Sequence, residues 1–167
     1  MYPLEELAGQ GIEVHGFWYN HNIHPYTEYR KRLESLLYLA NRQNLHLIVE
    51  DKYDLPVFLD EVKGNIGFPD RCDTCYETRL RQTALKAKEQ GFDAFSSTLL
   101  YSRYQKHSVI RSIGERIASE YGLKFHYTDW RHGWRRGIEL SKELGLYRQQ
   151  YCGCILSEMD RYMPGEN

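Results

Sequence analysis

The sequence predicts an α/β fold: a single domain in which a mostly parallel sheet is flanked by helices. Two features predict it. Short apolar runs alternate with longer segments of helical period, the pattern of successive strand–helix units. The helical segments also end on glycines, at Gly91, Gly122 and Gly145, and glycine closes a helix in the left-handed conformation without steric cost. A chain of 167 residues suits one compact domain able to bury a real core.

Taken in order, residues 3–8 (PLEELA), followed by Gly9 and Gly11, read as the end of a helix whose start is absent. The chain is therefore expected to begin one element late, since an α/β unit places a strand before that helix. Residues 11–19 (GIEVHGFWY) read as a strand. A helix opens at Pro25, a favoured first position, and runs through PYTEYRKRLESLLYLANRQN with Leu33, Leu36, Leu37 and Ala40 on one face. Residues 45–50 (LHLIVE) form a second strand. The connection over 51–69 is long for a loop, so it is expected to be functional or to contain a short helix.

A helix follows over 74–90 (TCYETRLRQTALKAKEQ), then a strand over 92–97, a helix over 106–121, a short strand over 123–127 and a last helix over 133–144. The domain is expected to span 1–163, with residues 164–167 a disordered tail. There is no internal repeat, and no glycine-rich phosphate loop or dinucleotide fingerprint.

Composition narrows the function. The 22 basic and 23 acidic residues leave a formal net charge of −1, without the basic excess usual in nucleic-acid binders. Any RNA contact must rest on a local patch. The 14 tyrosines supply polar aromatic surface, suited to stacking on bases and equally to the edge of a core. No apolar run reaches membrane-spanning length and the N terminus does not resemble a signal peptide, so a cytoplasmic protein with no membrane partner is expected. In that reducing compartment four cysteines are better metal ligands or redox groups than disulfides.

All four cysteines fall in two close pairs. Cys72 and Cys75 form a C-x-x-C (RCDTCYETRL) at the entrance of a helix, where free N–H groups and the helix dipole favour thiolate. Cys152 and Cys154 form a C-x-C (YCGCILS), with Gly153 free to turn two thiolates towards one centre. Four thiolates is the ligand count of a cubane iron–sulfur cluster or of a structural zinc site. The gap between the pairs argues against a zinc ribbon, whose knuckles lie about 15–20 residues apart. Spacing does not choose iron over zinc, and Cys72 with Cys75 alone would also serve a thiol–disulfide oxidoreductase.

With these residues in view, RCDTCYETRL, FDAFSSTLLYSRYQKH, GLKFHYTDWRHGW and SKELGLYRQQYCGCILS together closely resemble the QueH family of epoxyqueuosine reductases. YNHNIHPYTEYRKRL resembles the same family's early motif, Asn-Pro-Asn-Ile-His-Pro, with His21 in place of the first proline. The resemblance covers nearly the whole chain, in order. It implies a nucleotide-hydrolase-like, Rossmann-like α/β fold and a cytosolic reductase that converts epoxyqueuosine to queuosine at the wobble position of tRNA, the last step of queuosine synthesis. It implies a [4Fe–4S] cluster held by Cys72, Cys75, Cys152 and Cys154, a second metal ion (iron) nearby in at least part of the family, and an electron donor the sequence does not name. The family also carries a paired-cysteine motif on its first strand–helix turn. The chain is expected to start beyond that point, lacking that strand and motif.

The remaining candidates surround the cysteines. Asn20, Asn22 and His24 stand where a strand gives way to a helix, the edge of an open α/β sheet where ligands bind. They are expected to bind the modified base, or else to cap the helix that follows. Tyr101 and Lys106, with Arg103 and Tyr104 beside them, offer a stacking face and phosphate contacts. Arg131 belongs to DWRHGWRR, which clusters three arginines and two tryptophans in a manner suited to RNA, or equally to a solvated helix start. Asp73 and Asp129 are the candidate catalytic carboxylates, for a second metal or a proton. The competing functional class is a zinc-stabilised tRNA-binding module without chemistry.

Overall fold

A computed structural model describes residues 1–163 of the chain; the expected tail, 164–167, lies outside the described residues. The first helix, α1, runs Tyr2–Gly9 with a proline in its first turn. Strand β1 (Gly16–Trp18) leads into α2 (Tyr26–Arg42), and β2 (Leu47–Val49) into α3 (Leu55–Val62). The long connection after β2 thus does contain a short helix, and Asp54 caps it by accepting the Val57 N–H at 3.3 Å. Helix α4 (Asp70–Glu89) starts before the predicted Thr74, so both members of the C-x-x-C lie inside its first two turns. Strand β3 (Ala94–Phe95), α5 (His107–Tyr121), β4 (Lys124–Phe125) and α6 (Trp134–Glu143) follow. Single 3₁₀ turns at Thr98–Tyr101 and Trp130–Gly133 stand between them. Helix α7 (Ile155–Tyr162), which no periodicity announced, closes the described chain.

The architecture is mixed α/β and mostly helical. In place of one sheet, the strands form two parallel pairs: β1 with β2, Gly16 opposite Leu47 and Trp18 opposite Val49, and β3 with β4, Phe95 opposite Phe125. The strands are shorter than predicted, two or three residues each, with single backbone bonds at their edges such as Gly16 N–H to the His46 carbonyl at 2.8 Å. Just before β1 the Glu13 and His15 side chains meet at 3.0 Å.

The main core lies between α4 and α5, where Tyr76, Leu80, Ala84 and Ala87 meet Ile110, Ile117 and Ala118 under Phe95, Leu100 and Trp130. Gly114 makes room for β4 there: a Cβ would fall 2.5 Å from the Phe125 ring. A second cluster joins Trp18, Ile23, Tyr29 and Leu33. A third, of Phe58, Val62 and Cys154, ties α3 to the C-x-C. On α2 the apolar stripe is narrower than predicted, for Leu33 and Ala40 are buried whereas Leu37 is exposed.

Candidate metal and substrate site

All four cysteines are free thiols; Cys72 and Cys75 are half-buried, Cys152 exposed and Cys154 buried. Burial pushes up the thiols of Cys72 and Cys75, the latter to about 12, and negative charge at Cys152 acts in the same direction on both. Burial thus opposes the thiolate preference expected from a helix terminus. Arg79, one turn beyond Cys75 on the same face of α4, opposes the rise at Cys75.

The C-x-C behaves differently. Cys152 is held down to about 5, chiefly by the Cys154 thiol donating to it, with the Cys154 main chain, Arg79 and Ser157 adding to the effect. Cys154 rises in turn, as the partner that keeps its proton. Cys154 also caps α7, its sulfur accepting the Ser157 N–H at 3.3 Å. The two pairs are therefore neighbours in charge, with Arg79 acting on both. Among the described residues, no set of three or more His, Cys, Asp or Glu side chains is gathered in the geometry of a metal site. The donor chemistry suits a soft metal, since four free thiols of which one is already poised as thiolate are what such an ion takes.

The turn between β1 and α2 sits against these pairs. Asn20 accepts a hydrogen bond from Arg79 Nη2 at 3.1 Å, which links it to the cysteines. Asn22 and His24 are fully buried, at 1% and 0% exposure, and among the described residues the Asn22 amide oxygen and both His24 ring nitrogens lack hydrogen-bond partners. Neither caps α2, whose N-cap is Pro25 and carries no side-chain cap bond. His24 lies between Phe58 and Tyr53, ring centroids 4.9 and 5.6 Å away, and burial, then the neighbouring His21, lowers it to about 4. His21, not among the expected site residues, pairs through Nε2 with Glu61 of α3 at 2.7 Å.

Lys106 and Asp73 are brought together. The Lys106 ammonium donates to Asp73 Oδ1 at 2.9 Å and stands close enough to Cys72 to oppose its rise. Asp129 and Arg131 form an ion pair instead, and Arg131 holds the Asp129 carboxyl well below the usual carboxylate range. Asp129 is thus an anion with no proton to give at neutral pH.

Tyr101 stacks on Trp134 at 5.4 Å and donates its hydroxyl to the Trp134 carbonyl at 3.1 Å. Tyr104 stands edge-on to the same indole at 6.2 Å and is 83% exposed. Arg131, Arg135 and Arg136 are exposed on the adjoining surface, Arg136 lying 3.6 Å from Glu5.

The chain is similar over most of its length to proteins of one family. A family model described as "Epoxyqueuosine reductase QueH" matches residues 1–160. A protein of that name from Dehalococcoides mccartyi is 40% identical over 161 residues, which are 96% of this chain and 87% of the relative. Namesakes from Thermotoga maritima and Acinetobacter baylyi are each 37% identical, over 87% and 94% of this chain and 79% and 74% of their own lengths.

Proposed function

The chain belongs to the QueH family of epoxyqueuosine reductases, and from that membership and the geometry above we propose that it is an oxidoreductase that reduces epoxyqueuosine to queuosine in tRNA, the final step of queuosine synthesis. What supports the chemistry is four free thiols in two pairs, with the Arg79 guanidinium favouring the thiolate of one member of each, Cys75 and Cys152. Cys72, Cys75, Cys152 and Cys154 would hold a [4Fe–4S] cluster, which supplies electrons one at a time. The strand–helix order supports the Rossmann-like, nucleotide-hydrolase-like arrangement that the family resemblance implies. A tRNA substrate implies work in the cytoplasm, and no helix among the described residues is long and apolar enough to cross a membrane.

Deoxygenating an epoxide takes two electrons and two protons, and the oxygen leaves as water. Lys106 is the proton carrier we assign beside the cysteines, with Asp73 holding its ammonium in place. Asp73, next to Cys72, is also the carboxylate best placed for a second metal ion such as iron; Asp129 offers a permanent negative charge. Asn20 is hydrogen-bonded to Arg79, whose charge acts on Cys75 and Cys152, and it would contact the modified base. Tyr101, Tyr104 and Trp134 form a stacking platform flanked by Arg131 and Arg135, suited to the unstacked bases and phosphates of a tRNA loop.

The test is anaerobic preparation with iron and sulfide analysis, then single-turnover reduction of epoxyqueuosine tRNA with dithionite as reductant. Four irons per chain, lost on Cys→Ser change in either pair together with turnover, is the expected result. Stoichiometric zinc with tRNA binding and no reduction would replace this reading by a zinc-stabilised binding module. Turnover that survives loss of Cys152 and Cys154 would indicate a dithiol enzyme.

A further inference from the structure

Between α6 and α7 the chain has no regular structure, so the polar groups of residues 146–154 find their partners elsewhere. Many of those partners lie on one stripe of α2, at Glu28, Arg32 and Ser35, spaced i, i+4 and i+7 along one helix face. Arg32 is at the centre. Its Nη1 donates to the Cys152 carbonyl at 3.0 Å and to Gln149 Oε1 at 2.8 Å, and its Nη2 donates to the Tyr151 carbonyl at 3.0 Å. The guanidinium also lies over the Tyr151 ring, 5.5 Å from its centroid.

Glu28 fixes that guanidinium from below, accepting from Arg32 Nε at 2.7 Å, and both side chains are about nine-tenths buried. The other oxygen of Glu28 accepts the Tyr147 hydroxyl at 2.5 Å, and Ser35 Oγ accepts the Tyr147 N–H at 3.2 Å. The far end of the segment is pinned to the early motif, where the His24 N–H donates to the Gly153 carbonyl at 2.8 Å and Tyr151 donates its hydroxyl to the His24 carbonyl. Gly153 has φ +131°, and a Cβ there would lie 3.0 Å from Arg32 Nη1 and 3.2 Å from Ile23. The glycine between the two cysteines thus serves close approach to Arg32 as well as backbone angle.

We propose that Arg32 is a positioning residue that sets the placement of Cys152 and Cys154 against Cys72 and Cys75, with Glu28 as its anchor. The proposal rests on the reading of these cysteines as metal ligands, but its geometric half does not need the metal. Among the described residues Arg32 hydrogen-bonds to no sulfur; it acts through the carbonyls of Tyr151 and Cys152. A planar fork with five donors can serve the Glu28 carboxylate, two carbonyls and an amide together, whereas an ammonium on a flexible stem cannot hold all four in one geometry.

Arg32→Ala leaves Glu28 buried without its partner and can fail to fold, so Arg32→Lys is the informative variant. It keeps the positive charge beside Glu28 and most of the apolar stem. Two measurements are made on the full chain. In protein prepared without metal, exchange of the Tyr147 and His24 amide hydrogens reads the docking of the segment. In reconstituted protein, the rate at which a ferrous chelator strips iron reads the ligand set, with the visible spectrum followed in parallel. With melting temperature close to the parent, the lysine variant should exchange both amides, and lose iron, about tenfold faster, the factor expected when one or two net hydrogen bonds are lost. Parent-like exchange of both amides, or parent-like iron loss from a variant that carries iron, would overturn the proposal. If the parent itself takes up no iron, the metal reading fails, and the amide exchange alone decides whether Arg32 positions the loop.

Discussion

Acidification provides a direct test of the buried early motif. His24 is wholly buried, its ring nitrogens have no hydrogen-bond partners among the described residues, and its protonation is pushed from 6.5 down to about 4, chiefly by burial. Because the folded value lies below the unfolded one, the unfolded chain takes up the extra proton first as pH falls. The stability tied to neutral His24 is therefore present above about pH 6.5 and is lost towards about pH 4. A displacement of that size is worth about 3 kcal/mol in full, and about 2 kcal/mol of it disappears between about pH 7 and about pH 5. For a domain of this length that loss lowers the melting temperature by about 4–8 °C. The assay is thermal melting of metal-free, reduced protein at the two pH values, for the parent and for His24→Leu. The paired comparison cancels other titrating groups, Cys152 among them. Leucine removes two unpartnered nitrogens from an apolar setting between Phe58 and Tyr53, so at neutral pH the variant should melt near the parent. At the lower pH it should melt higher than the parent by most of the margin above. An equal difference at both pH values would refute the assignment of His24 as the buried, neutral group.

Three further outcomes are expected. Gly153→Ala forces a side chain into a backbone conformation at φ +131° and against Arg32, and should cost about 1–3 kcal/mol in urea unfolding. Tyr104→Ala should weaken tRNA binding by about 1–3 kcal/mol with its salt dependence unchanged, through lost stacking; Arg135→Ala should lower the slope of log K against log salt by about one. Filter binding across a salt series checks both. Arg71 is 6% exposed and donates to the Ile66 carbonyl at 2.9 Å and to Asp160, joining the α3–α4 loop to α7. Since Asp160 is half exposed and can be rehydrated, Arg71→Met should cost only about 1–3 kcal/mol, measured by urea unfolding.

Local chemistry made much of this legible in the sequence, and distance along the chain hid the rest. Helices α5 and α6 were marked by period and by the glycines at 122 and 145, both with positive φ in the structure. Helix α7 was not, because its cap is a cysteine and its eight residues bury none of their side chains fully. The strands are legible in position but not in length, since sequence runs do not show how few residues pair. The cysteines were found by identity alone. Arg79 was within reach of the same reasoning, standing at i+4 from Cys75, where a helix brings side chains together. Arg32 was not, because nothing local says which of 22 basic residues folds against a segment about 120 positions later.

That long-range contact also explains why Asn22 and His24 read as a ligand-facing edge yet lie buried. A turn outside a strand's C-terminal end is open to ligand only if no other segment covers it. Here the 147–153 segment returns across α2 and closes over the turn, and the hydrogen bond from His24 to the Gly153 carbonyl joins the two motifs through their backbones. The early motif and the C-x-C are then one structural unit assembled from opposite ends of the described chain. A substitution in either should disturb the other, so loss of reduction on changing Asn22 or His24 does not by itself place those side chains on the substrate. Asn20 differs, because it is only part-buried and its amide oxygen accepts from Arg79. Contact with the substrate is to be sought first at Asn20, and order in the cysteine loop at His24.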